Sequence, residues 1–269
     1  MSATSSNIVF AFSGQGSHYR KMGEELYRSH SAFRQSLESS DQLVYRNTGR
    51  SLIEELYEQG NEVFDDLLVT HPAIVAVEVA MIAVMQDAGI RPQGVMGVSL
   101  GEFAAGVAAG IWFAEEAILT SIEQAKTIIQ NVAEGGISVV IGPKDDEILN
   151  VLNANELSHG SVNFEGCYIV SGGKKALDEF DHFMSLKAAV YQRLEVLYPF
   201  HSPLMQSGKI CWPPLGLEVE TSKPAVPYYS AMLRDRLEVS FTDDFLWDVT
   251  MVDFDVRDTV NKIEDEIAN

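Results

Sequence analysis

Three short stretches of the chain carry residue types able to do covalent chemistry. Gly97-Val98-Ser99-Leu100-Gly101 sets a serine between two glycines, directly after an apolar run. A serine held on a tight turn between a strand and a helix is exposed as a nucleophile, and the free amides of the helix start can receive an oxyanion. The amide of Leu100 would be one of those donors. The same residues also suit a Gly-rich turn whose serine caps the helix, so the motif alone leaves both roles open. A nucleophilic serine needs a base. Of the six histidines (His18, His30, His71, His159, His182 and His201), His30 and His182 fall in polar helical patterns and His159 in a polar loop. His201, in Tyr198-Pro199-Phe200-His201, follows an aromatic-Pro turn where the chain leaves a small domain. There it would face an interdomain cleft, or serve as a core or capping histidine. Ser13-Gly14-Gln15-Gly16-Ser17-His18 is a second Gly-rich turn after a strand. It lacks the lysine and spacing of a phosphate loop. Gln15 offers an amide donor that would complete an oxyanion hole or bond its own loop.

The elements that must hold these residues can be read from periodicity. Asn7–Gly14 reads as a buried strand, and Lys21–Val44 has helical spacing of Met22, Leu26, Phe33 and Leu37. His71–Gly89 is a helix apolar nearly all round, as a central buried helix would be, with Gly89 as its stop. A short strand then runs into Ser99, a small-residue helix follows it, and Ala114–Asn131 is amphipathic. From Gly136 the pattern becomes strand, helix, strand, strand, helix, strand, ending near Val196, which is the order of a ferredoxin-like unit. A Pro-rich stretch, the strand Ala225–Met232 and the helix Asp258–Ala268 return the chain to the first domain. The fold expected is α/β, with a small α+β domain inserted into a large one: 1–134 and 199–269 large, 135–198 small.

At 269 residues, 46% apolar and 22% charged, the chain has ordinary globular composition and enough length for a sizeable core. The start has no basic region before its apolar run, so no secretory signal is read. The most hydrophobic segment, Pro72–Met85, carries Glu78 and is too short to span a bilayer. Two cysteines, Cys167 and Cys211, suit a reducing compartment, with the cytoplasm as the default. No Cys/His cluster has metal-ligand spacing, so no metal is expected. A formal charge of −20 argues against nucleic acid and anionic membrane as partners.

Taken together and in order, Ser13–His18, Gly97–Glu102 and Phe200–Met205 resemble the malonyl-CoA:acyl-carrier-protein transacylase family, including the acyltransferase domains of polyketide synthases and their discrete, trans-acting forms. The resemblance runs from about Ile8 to the C-terminus. It includes Thr70–Met81, similar to the family's Thr-Gln-Pro-Ala helix with His71 at the glutamine position, and Val162–Gly172. It implies an α/β-hydrolase-like large domain with an inserted ferredoxin-like small domain. It also implies Ser99 as nucleophile, His201 as base, the backbone N–H groups of Leu100 and Gln15 as oxyanion hole, and a backbone carbonyl near Asp253 orienting the histidine. Asn163 and Phe200 would flank the acyl group. No cofactor would be bound; acyl-CoA or a phosphopantetheinyl acyl carrier protein would be substrate and partner.

Two departures from the family bear on substrate. Malonyl-type members have an arginine on the helix after the serine turn that grips the free carboxylate; an ungapped count puts Gln124 there. A neutral amide cannot supply the bidentate, charge-assisted pair a buried carboxylate needs, and Lys126 lies about 200° around the helix. Val98 stands where the family has histidine. Both point to a neutral acyl group, transferred or hydrolysed from a carrier, rather than malonyl loading. A third departure is the end of the chain at Glu264–Asn269, where the family usually continues with a Gly-Pro-containing segment near the site. Because CoA and carrier proteins are anionic, some of Lys174, Lys175, Arg193, Lys209, Lys223, Arg234 and Arg236 are expected at the cleft mouth. The alternatives are malonyl loading, an ordinary hydrolase with a Ser-Asp-His triad, and a non-catalytic docking subunit of a synthase. The inserted domain and the Gln15 turn speak against the hydrolase.

Overall fold

The structure, a computed structural model, describes residues 7–60, 63–187, 190–212 and 222–267. The Pro-rich stretch at Pro213 and Pro214 lies outside them.

Two sheets organise the chain. The first has the order β1-β2-β7-β8, from β1 (Val9–Phe12), β2 (Gly94–Gly97), β7 (Tyr228–Ser230) and β8 (Asp235–Arg236). β1, β2 and β7 run parallel, and Phe12, Gly97 and Ser230 end them at one level. Loops leaving that shared carboxyl edge converge, which is where open parallel sheets form sites. The second sheet is antiparallel, with the order β4-β5-β3-β6, from β3 (Gly135–Ile141), β4 (Val162–Phe164), β5 (Cys167–Gly173) and β6 (Val190–Arg193). With helices α6 (Asp146–Ala154) and α7 (Lys174–Leu186) after β3 and β5, it is a ferredoxin-like unit.

The helix read over Lys21–Val44 is two helices, α1 (Glu24–Ser29) and α2 (Ser31–Thr48). They break at His30, whose backbone is extended at φ −115° and ψ 116°. The apolar helix is longer than its most hydrophobic part. Asp66 caps α3 (Leu67–Asp87) by accepting from the Leu68 amide, giving 21 residues. By length and composition it could cross a membrane, but 67% of its most apolar window is buried inside the protein, between α2, α4 (Gly101–Ala108) and α5 (Ala114–Asn131).

The large core joins Phe33, Leu37, Val75, Phe103 and Tyr228 beneath the parallel sheet, and a separate core fills the small unit around Leu152, Val170 and Phe180. Between them Met96, Ile137, Ile169, Phe200 and Phe254 pack together. A backbone bond adds to this junction: Val162 N–H donates to Phe254 O at 2.9 Å.

Two elements of the returning chain were not legible as periodic segments. α8 (Gln206–Cys211) follows the His201 turn, and α9 (Asp243–Met251) is capped by Thr242, whose hydroxyl accepts from the Phe245 amide at 3.1 Å. Nine residues are too few to show a helical period, although Thr242 followed by Asp243 and Asp244 is a helix-start signal. The last helix, α10 (Val256–Ile267), begins two residues earlier than read.

Candidate active site

Ser99 sits between β2 and α4 with φ 54°, a left-handed conformation that costs energy for a serine and persists only when its surroundings enforce it. Close packing enforces it here. A Cβ on Gly101 would stand 2.3 Å from the Phe12 carbonyl oxygen, and one on Gly14 would stand 2.8 Å from Ser99 Cβ and 3.1 Å from the Leu100 nitrogen. Only glycines let the two loops meet so closely. Their contact brings the Gln15 amide beside that of Leu100, and neither N–H donates to a protein acceptor among the described residues. Two backbone donors left without protein acceptors on adjoining turns beside a serine hydroxyl are the groups that can receive an oxyanion.

Each loop is tied down by a buried carboxyl. Glu102, in the first turn of α4, accepts from Ser230 Oγ at 2.6 Å and from the Tyr228 hydroxyl, joining the serine turn to β7. Glu78 of α3 accepts from the Ser13 N–H at 2.8 Å and its hydroxyl at 3.2 Å, holding the Gln15 loop. Loss of water around each raises its pKa to about 8, against the opposing pull of these hydrogen bonds. Glu78 was visible as the lone acid of an apolar helix; its partner was not.

His201 brings its Nε2 to 2.9 Å from Ser99 Oγ, the two residues being 8% and 5% exposed for serine and histidine respectively. Its Nδ1 lies 2.8 Å from the Val252 carbonyl oxygen. A carbonyl only accepts, so Nδ1 carries the hydrogen and Nε2 is left bare toward the serine hydroxyl. This corrects the expectation for Asp253: the orienting carbonyl is that of Val252, the extended residue that ends α9. The Asp253 side chain instead packs against Gly160, where a Cβ would overlap its carboxylate. Burial lowers the His201 pKa to about 4, the Val252 bond opposing it in part, so the ring is neutral and basic at neutral pH. His201 also has a left-handed backbone, φ 59°, held by its N–H donating to Thr250 O at 2.8 Å and by its ring packed edge-on to Phe254.

A cavity of about 460 Å³ opens over this pair. Gln15, Val98, Asn163 and Phe200 line it with Ser99 and His201, beside apolar side chains such as Ile137, Val139 and Val260; none of the described residues that line it is a lysine or an arginine. Asn163 keeps its amide free but for a weak 4.0 Å approach to Cys167 Sγ.

Gln124 is not among the lining residues, which corrects its placing as a substrate contact. It is fully buried: its Oε1 lies 3.2 Å from His71 Nε2, and its amide donates to the Leu246 carbonyl oxygen at 2.7 Å. A helical count places a residue on a face but cannot say what covers that face. His71 also meets the Gln15 side-chain amide at Nδ1 and stacks on Phe200 with ring centroids 5.7 Å apart. The basic residues expected at the mouth also line no part of the cavity. Arg193 is paired with Asp178 and Asp181, Lys209 with Asp244 and Asp248, and Arg236 with Glu238 and Glu266. Among the described residues no three His, Cys, Asp or Glu side chains are grouped to hold a metal ion.

Comparison with known proteins converges on one family. Residues 9–249 match the model of the acyl transferase domain. The chain is 34% identical over 249 residues to the polyketide biosynthesis acyltransferase homolog BaeD of Bacillus velezensis, covering 90% of this chain and 75% of that one. It is 33% identical over 266 residues to the homolog PksD of Bacillus subtilis, covering 96% and 81%. The fold matches a loading acyltransferase from the avermectin modular polyketide synthase with a TM-score of 0.87 at 21% identity, over 96% of this chain and 84% of that one.

Proposed function

The chain belongs to the acyl transferase domain family, and from that premise we propose that it forms an acyl-enzyme on Ser99 from neutral, non-carboxylated acyl thioesters of an acyl carrier protein or coenzyme A in polyketide biosynthesis. The observation that carries the reading is the directed chain Ser99 Oγ, His201, Val252 O at the base of a cavity lined by no cation. The two Bacillus relatives support the polyketide setting.

In the first step Ser99 Oγ attacks the thioester carbonyl while its proton passes to His201 Nε2. The Val252 carbonyl keeps Nδ1–H in place and stabilises the imidazolium. The Leu100 and Gln15 amides take the carbonyl oxygen as it becomes an oxyanion. Collapse breaks the C–S bond, and His201 returns the proton to the departing thiol. The second step runs the same sequence with the carrier's thiol or water as the attacking group. The acyl substituent lies among Val98, Phe200 and the apolar face of the small sheet. A carboxylate there would be desolvated without a cationic partner, at a cost of several kcal/mol. The free Cys167 and Cys211 fit a reducing, cytoplasmic setting.

Incubation with acetyl-CoA, malonyl-CoA and a medium-chain acyl carrier protein, followed by intact mass over time, tests this. Acetyl or longer adducts on Ser99, or free acid released from the carrier, are expected; a stable malonyl adduct would refute it.

A further inference from the structure

Resting on that acyl-enzyme reading, we propose that Gln15 shows the acyl cavity only its amide oxygen, so that the site selects acyl groups bearing a hydroxyl donor. His71 and Gln124 are the positioning residues that enforce this polarity.

The polarity is set inward from a group whose role is fixed. The Leu246 carbonyl can only accept, so the Gln124 atom 2.7 Å from it is the amide nitrogen and the atom facing His71 is Oε1. Oε1 can only accept, so His71 Nε2 carries the hydrogen. The ring is fully buried and burial takes its pKa down to about 3, so it holds one hydrogen and Nδ1 is bare. A bare Nδ1 accepts from the Gln15 amide nitrogen. That nitrogen's other hydrogen goes to Thr70 Oγ1 at 3.3 Å. Both amide hydrogens of Gln15 are therefore committed away from the cavity. Its oxygen is not among the buried unpartnered atoms and has no protein partner among the described residues, so it remains accessible in a residue that lines the cavity. His71 also stacks on Phe200, another residue that lines the cavity.

An exposed acceptor at that point discriminates by polarity. A hydroxyl on the acyl chain donates to it. A ketone or a carboxylate oxygen sets acceptor against acceptor. No side-chain cation competes, the two free backbone N–H groups are taken by the reacting carbonyl, and Asn163, whose amide can turn either its oxygen or its nitrogen to a ligand, sets no polarity of its own.

The test measures single-turnover acylation of Ser99 by intact mass with N-acetylcysteamine thioesters of butyrate, 3-hydroxybutyrate (each enantiomer) and 3-oxobutyrate. One 3-hydroxybutyryl enantiomer should react roughly fivefold to tenfold faster than the similarly sized 3-oxobutyryl, as expected for one solvent-accessible neutral hydrogen bond. His71→Phe keeps the stack and removes both nitrogens; the ratio should fall to about one with the butyryl rate little changed, since a polarity effect leaves an apolar chain indifferent. Gln124→Leu, which frees the His71 tautomer, should lower the ratio in the same way. Long-range proton–nitrogen NMR should find His71 as the Nε2–H tautomer. A wild-type ratio near one, a ratio unchanged in both variants, or an Nδ1–H tautomer overturns the inference while butyryl acylation stands. No acylation by any of the thioesters overturns the acyl-enzyme reading instead, and the tautomer then decides the polarity of Gln15.

Discussion

Ser99 Oγ and His201 Nε2 stand 2.9 Å apart, and both residues hold left-handed backbone conformations. Two strained turns on separate segments are thus pressed together, the partners being 102 positions apart in sequence. Pre-organisation of this kind removes freedom that attack would otherwise cost.

The first prediction follows from the His201 charge. Its folded pKa near 4 lies below the ordinary 6.5, and the neutral ring is the active base. Acylation should therefore be flat from neutral pH downward and fall only as pH drops through about 4, as read from kcat/KM against pH. His201→Ala should slow labelling by a fluorophosphonate probe about 10²-fold or more.

Asp253 distinguishes this site from one with a carboxylate-held histidine. Because Val252 O holds Nδ1, Asp253→Asn should change kcat by no more than about twofold, the scale of a substitution outside the machinery. Steady-state kinetics would decide it.

Gly101→Ala forces a methyl against the Phe12 carbonyl oxygen at 2.3 Å, where the obstacle is backbone and cannot rotate away. A loss of about 1–3 kcal/mol is expected from such overpacking. Denaturant unfolding should show it, with probe labelling of Ser99 lost in the folded fraction.

Gln124→Arg should not create a malonyl enzyme. The guanidinium would be buried against His71 Nε2–H and the Leu246 carbonyl, in place of an amide that both groups already satisfy. Destabilisation of about 3–5 kcal/mol is expected for an uncompensated buried charge, and intact mass should show no malonyl adduct.

Stability should depend on pH with a defined sign. Glu78 and Glu102 have folded pKa values raised from 4.5 to about 8, so the folded state binds more protons and stability declines as pH rises between those values. His71 and His201, lowered from 6.5 to about 3 and about 4, act oppositely, adding stability as pH rises to about 6.5. The two effects oppose one another between 4.5 and 6.5, and the carboxyl effect continues from there to about 8. The melting temperature should fall over that upper window, and Glu78→Gln with Glu102→Gln should flatten it.

The sequence by itself determined the parts of this protein that depend on neighbours along the chain. The serine turn needs glycines at fixed offsets, the amphipathic α5 shows its period over 18 residues, and the β-α-β-β-α-β order spells the inserted unit. Ser99, His201 and the Gln15 loop were legible because turn chemistry is local. Val98 beside the nucleophile was read directly, and it does line the cavity. Only the tertiary structure decided which groups meet. The carbonyl that holds His201 belongs to Val252 rather than Asp253 because the end of α9 sets which peptide faces the ring, and a carbonyl leaves no mark in residue type. Gln124 turned inward to His71 and Leu246 because α3 and α9 cover its face of α5, a contact between segments up to 122 residues apart. Side-chain identity fixes what a group can donate or accept; packing alone fixes to whom, and so decides the polarity of the cavity.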